Sequence, residues 1–288
     1  MQDGLEAIRQ ELKRLHLEGV ERVYVEEATL QEVTAEQSLV SANESPPVTE
    51  ISKPEAEVAT VEPESKKTFP LPPVFELPEG EPDKQMKLLR QTILNCPTIQ
   101  EQLGTSGKVV FGEGDIQADL FFCGEAPSEE EARCGRPFVG KAGELLDKII
   151  SAMGLQREQV YLTNILNWRP DLDKPHGNRH PTAEEMAFSI PYLKAQIRII
   201  QPKAMIALGN TAVSGLLGPD PDRRMGGIRG TWQEFEGIPM MATFHPSYLL
   251  RRNDNSTKRQ VWEDLLLVME KTGMPISEKQ QGYFLPKN

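Results

Sequence analysis

Asp119-Leu120-Phe121-Phe122-Cys123-Gly124-Glu125-Ala126-Pro127 is an apolar run that ends in a Gly/Pro turn holding one acid. The run is short and unbroken, the pattern of a strand covered on both faces. Similar runs stand at 108–111, 159–163, 204–208 and 240–243. Helical patterns fill the gaps, at 85–95, 140–153, 183–200, 210–217 and 257–271. This alternation predicts an α/β fold, a three-layer α/β/α sandwich around a central, mainly parallel sheet. Such folds build their sites in the loops at the carboxyl ends of the strands. The turn at Gly124 stands at one such end.

The chain has 288 residues, room for one large or two modest domains. No apolar run reaches the roughly eighteen residues that a membrane helix needs. Met1-Gln2-Asp3-Gly4 opens no basic-then-apolar leader, so no secretory signal is expected. Three cysteines, Cys96, Cys123 and Cys134, make no disulfide framework, which points to a reducing, cytoplasmic setting. The net charge of −11 is unevenly spread. Residues 1–85 hold 19 of the 43 acidic and 8 of the 32 basic side chains, which leaves 24 of each for the rest. The remainder is therefore neutral on balance, free to present a basic face to a polyanion.

Four regions follow. Residues 1–25 contain Leu5, Ile8, Leu12 and Leu15 at helical spacing, a short amphipathic helix. Residues 26–84 hold nine prolines amid Glu, Ser, Thr and Val, an acidic segment too polar to offset its ordering entropy and so a disordered linker. A docked arm at its 69–75 end is the alternative. Residues 85–273 form the globular domain, and 274–288 a loose polar tail.

Other islands share the character of the first. Gly135-Arg136-Pro137-Phe138-Val139-Gly140 sets Phe138 before a helix, either as a loop anchor in the core or as a stacking platform for a planar ligand. Thr163-Asn164 ends a strand with an amide that both donates and accepts; a turn or cap is the plainer role. Arg169-Pro170 and Gly177-Asn178-Arg179-His180-Pro181 carry phosphate-binding potential, with His176 and His180 read as surface histidines. His245-Pro246-Ser247-Tyr248-Leu249-Leu250-Arg251 closes the set. His245 is fit to donate to developing negative charge, and the leucines either pack inward or wedge into a base stack. Neither a GxGxxG nor a GxxxxGK[ST] motif occurs.

In this order the islands resemble the family 4 uracil-DNA glycosylases, over about residues 90–272. The matching pieces include Phe111-Gly112-Glu113-Gly114, Gly124-Glu125-Ala126-Pro127, the Phe138 loop through Gly143, Ala207-Leu208-Gly209 and the His245 block. The resemblance implies a hydrolase of base excision repair that takes uracil from DNA. Glu125, with Glu131 beside it, would handle the attacking water. Gly124 and Ala126 would line the pocket, Phe138 would stack on the flipped uracil, and Asn164 would read its polar edge. His245 would bond the uracil oxygen. Arg169, Arg179, Ser247, Leu249, Leu250 and Arg251 would face the DNA, bound by one chain acting as a monomer. The alternatives are a glycosylase for another deaminated base and a uracil-DNA binder without turnover.

Two departures stand out. The family carries an iron–sulfur cluster on four cysteines, a ligand set that needs four thiolates. Only Cys96 matches; Ile99, Trp168 and Ser189 occupy the other three places. The expectation is a chain with no metal cofactor. Ser128 also stands where the family usually has Gly, which is expected to narrow the pocket or alter the path of the loop after Glu125.

Overall fold

The computed structural model describes residues 69–103, 107–170 and 179–285, all within one compact unit, Ser65–Asn288. The helix expected within 1–25, most of the 26–84 segment, and His176, Gly177 and Asn178 lie outside the described residues.

Six strands form one sheet: β1 (Glu113–Gly114), β2 (Leu120–Gly124), β3 (Tyr161–Asn164), β4 (Ala204–Leu208), β5 (Trp232–Phe235) and β6 (Ile238–Thr243). Their order is β1-β3-β2-β4-β6-β5. The inner four are parallel, and the two edges pair antiparallel. Strands β2 and β4 are buried at every position, so both of their faces are covered. Alternate residues go to opposite layers. Phe121, Cys123, Met205 and Ala207 join one core, with helices α1 (Pro82–Leu94), α5 (Ala183–Ile200) and α6 (Asn210–Leu217). Leu120, Phe122, Ile206 and Leu208 join the other, with α4 (Gly140–Ala152), α8 (Pro246–Arg252) and α9 (Asn255–Lys271). That period of two produces the expected three layers. The shorter helices are α2 (Pro97–Gln102), α3 (Glu129–Cys134), α7 (Met225–Ile228) and α10 (Glu278–Gln281). No helix among the described residues is long and apolar enough to cross a membrane.

Three expectations are revised. Residues 108–111 run extended but form no strand, because their amides bond outside the sheet: Lys108 N–H to Ala132 O in α3 and Val110 N–H to Asn167 O in the loop after β3. Residues 69–81, assigned to the disordered linker, are docked through Phe69, Phe75 and Leu77. Phe69 stacks on Trp168 at 5.9 Å between ring centroids, and Phe75 on Tyr192 at 5.1 Å. The tail after Gly273 also packs down. Tyr283 lies 5.1 Å from the Trp262 ring, and Trp262 Nε1–H donates to Gln280 O at 2.6 Å.

Candidate active site

The chain leaves β2 to form β3 on one side and β4 on the other, which opens a crevice at the carboxyl ends. Glu125 follows β2, Asn164 ends β3, Gly209 follows β4 and His245 follows β6. All four line a cleft of about 990 Å³, together with Ala126, Phe138, Ser247 and Arg251. Register sets Gly124 directly beside Asn164. Gly124 has no side chain for a packing reason. A Cβ there would stand 2.7 Å from Phe138 Cζ and inside contact distance of Asn164 Oδ1.

Asn164 is buried, and its Nδ2 has no hydrogen-bond partner among the described residues. A buried amide donor without a partner costs about 1–3 kcal/mol, and an acceptor entering the cleft would remove that cost.

Phe138 sits at φ 50°, a left-handed conformation that non-glycine residues seldom adopt. Its backbone is gripped from two sides. Its N–H donates to Glu131 Oε1. Its carbonyl accepts from Arg157 Nη1 at 3.1 Å, and Pro137 O from Arg157 Nη2 at 2.6 Å. Arg157 is itself held by Glu113 at 2.6 Å and Asp147 at 2.7 Å. Burial opposes the charge on Glu113, yet Arg136 and Arg157 hold its carboxyl below the usual range. Sequence reasoning missed this brace, because Glu113, Asp147 and Arg157 are far apart in the chain. The only signal was Glu113 between two glycines.

Glu131 serves the same frame. Its Oε2 accepts from Ser128 N–H at 2.5 Å, so both of its oxygens are bound to backbone. Burial pushes its pKa up, opposed by the Ser128 and Phe138 donors. It braces the loop rather than presenting an open oxygen to water. Ser128 caps α3 through a reciprocal bond with Glu131, and this is what its side chain contributes to the loop.

His245 lies against the pocket with its ring 6.2 Å from that of Phe138. Its Nδ1 accepts from Ser247 N–H at 3.2 Å, which places the proton of the neutral imidazole on Nε2. Burial first, then the charge of Arg251, lowers its pKa from 6.5 to about 4. His245 is therefore a neutral N–H donor at ordinary pH.

The remaining expectations divide. Leu249 is 4% exposed and belongs to the core under α8, so it does not face DNA. Leu250, one residue on, is 44% exposed. Helical geometry turns neighbouring residues about 100° apart, so only one of the two can point inward. Arg179 lies on Glu185 through two bonds of 2.7 and 2.6 Å, and Arg169 lies 3.6 Å from Glu129. His180, read as a bare surface histidine, is 81% exposed but lies 2.7 Å from Glu125 Oε1 through Nδ1. Fifty-five residues of sequence separate the pair, so spacing gave no hint of it.

Residues 111–266 match the model of the uracil DNA glycosylase superfamily. The chain belongs to this superfamily, in its type-4 branch. It is 38% identical over 184 residues to the type-4 uracil-DNA glycosylase of Thermotoga maritima, covering 64% of this chain and 92% of that protein. The type-4 enzyme of Pyrobaculum aerophilum is 35% identical over 175 residues, 58% of this chain and 85% of that one. That of Sulfurisphaera tokodaii is 36% identical over 187 residues, 62% and 80% respectively. Membership makes the cluster positions of this chain testable against its side chains. Ile99, Trp168 and Ser189 are fully buried, and Cys96 packs at the edge of the same core. One thiol, an aliphatic chain, an indole and a hydroxyl are not a ligand set for iron–sulfur chemistry. Cys123 is enclosed in β2, and burial pushes its thiol well up, away from thiolate.

Proposed function

We propose that this chain hydrolyses the N-glycosidic bond of uracil in DNA, as the first step of base excision repair. The observation that carries this reading is the unpaired, buried Asn164 amide at the meeting point of Phe138, Glu125 and His245. Uracil offers an acceptor at O4 and a donor at N3, which suits one Asn side chain acting as donor and acceptor together. Cytosine reverses both and would leave the buried amide unsatisfied, a strong ground for rejection.

The chemistry follows from charge. A base flipped from the duplex stacks on Phe138. As the bond to the sugar breaks, the electron pair goes to the base, and His245 Nε2–H donates to the oxygen where that charge gathers. Water attacks the sugar carbon, and its proton passes to the Glu125 carboxylate. Leu250 fills the gap left in the stack, and Ser247 and Arg251 bind the neighbouring phosphates. Glu131 holds the Phe138 loop. Arg169 and Arg179 support loops at the rim while adding positive charge there. The reaction is expected to need no iron–sulfur cluster; Trp168, at one of the four ligand positions, carries an indole stacked on Phe69 instead of a thiolate. The chain is taken to act as a monomer. Three unpaired cysteines suit a reducing cytoplasm.

The test uses matched oligonucleotides holding one uracil or one cytosine. Alkali-labile breaks are expected only in the first, and Glu125→Gln is expected to lower the rate by about 100-fold or more. A wild-type protein that retards the uracil strand without breaking it would overturn the reading in favour of a binder.

A further inference from the structure

His180 is absent from the roles assigned above, yet it makes the shortest side-chain contact to the proposed water-handling acid. Its Nδ1 stands 2.7 Å from Glu125 Oε1 and 3.3 Å from Thr211 Oγ1. All three residues line the cleft. The imidazole itself is exposed, but its backbone is anchored. Arg179 grips the buried Glu185, Arg179 Nη1 also donates to His180 O at 3.1 Å, and Glu185 Oε2 accepts from Thr182 N–H at 2.8 Å at the cap of α5. Pro181, itself buried, follows directly. The ring is therefore delivered to Glu125 by a fixed turn at the start of a long helix.

We infer that His180 is a positioning residue for Glu125. For Nδ1 to bond a carboxylate at 2.7 Å it must carry the proton, so the imidazole donates to Oε1. That fixes the rotation of the carboxyl group and leaves Oε2 to hold the attacking water and take its proton. A half-buried carboxylate without this tether still has several rotamers open to it, and a misplacement of about 1 Å at a reacting group costs up to about 100-fold in rate. The inference deepens the proposed glycosylase reading and rests on it.

The test compares His180→Ala, His180→Asn and Glu125→Gln in the full chain. His180→Ala is expected to lower kcat for uracil release about 10- to 100-fold with little change in KM. His180→Asn, whose amide nitrogen falls near the place of Nδ1, is expected to recover most of that loss. In the Glu125→Gln background, His180→Ala is expected to add little, since the two act through one carboxylate. A full additional loss there, an unchanged kcat in His180→Ala, or an Asn variant no better than Ala would each overturn the inference. A second readout needs no turnover. Long-range proton–nitrogen spectra, assigned with the Ala variant, are expected to place the proton of neutral His180 on Nδ1 and to move it to Nε2 in Glu125→Gln. A tautomer indifferent to Glu125 overturns the pairing. A wild-type chain that releases no uracil yet shows the Glu125-dependent tautomer overturns the glycosylase reading while the contact itself stands.

Discussion

His245 turns a local packing fact into a pH dependence. Its imidazole accepts from Ser247 N–H while Arg251 and burial oppose a second proton, so the native pKa is about 4 against an ordinary 6.5. As pH falls below about 6.5 the unfolded chain takes up this proton first, and the native state does not follow until about 4. The unfolded state thus binds more protons in that window, so stability declines as pH drops, by up to about 3 kcal/mol from this residue. His245→Gln removes the group. Urea unfolding of both proteins at several pH values between neutral and 4 is expected to show a steeper loss in the wild type; parallel curves would contradict the assignment. Gly124 makes the matching point from the steric side. Its missing side chain is what lets Asn164 and Phe138 occupy the same end of the sheet.

At the scale of elements, the parallel strands were legible from unbroken apolar runs, since two covered faces leave no polar alternation. Strand β4 and helices α5 and α6 stand where the pattern put them. The edge strands β1 and β5 were not legible. Glu113–Gly114 is two residues long, and β5 exposes part of one face, so neither presents an apolar run. Helix α8 was hidden because Pro246 reads as a loop residue, although a proline suits the first helical turn. The docked arm at 69–81 was masked by its prolines. Its Phe69 and Phe75 find partners in Trp168, Phe188 and Tyr192, three residues distant in sequence. Phe69→Ala with Phe75→Ala is expected to lower stability by about 2–4 kcal/mol in denaturant unfolding and to leave uracil release unchanged. A loss under about 1 kcal/mol would mean that the arm adds little to the core.

For the whole molecule, the four positions where the family resemblance implies cluster cysteines hold Cys96, Ile99, Trp168 and Ser189. Ile99, Trp168 and Ser189 hold no thiolate, and the core there is closed by aromatic packing. The protein purified without oxygen from iron-replete cells is expected to be colourless, and its unfolding indifferent to chelators. A brown protein with about four irons per chain would overturn this. The site itself is a product of topology. Four strand ends from β2, β3, β4 and β6 converge because the chain reverses its direction of sheet growth after β3.

The sequence by itself determined the layered α/β architecture and the family, and it set Glu125, Phe138, Asn164 and His245 in Gly/Pro islands beside the strands. The architecture follows from local composition, apolar runs and Gly/Pro breaks, and the family from the ordered set of motifs. Only the tertiary structure decided that Glu131 braces a loop, that Leu249 is core while Leu250 is exposed, that Arg157 grips the Phe138 turn, and that His180 reaches Glu125. The reason is physical. Hydrogen bonds and burial depend on which distant segments meet, and no local pattern carries the direction in which a side chain points once the sheet has brought those segments together.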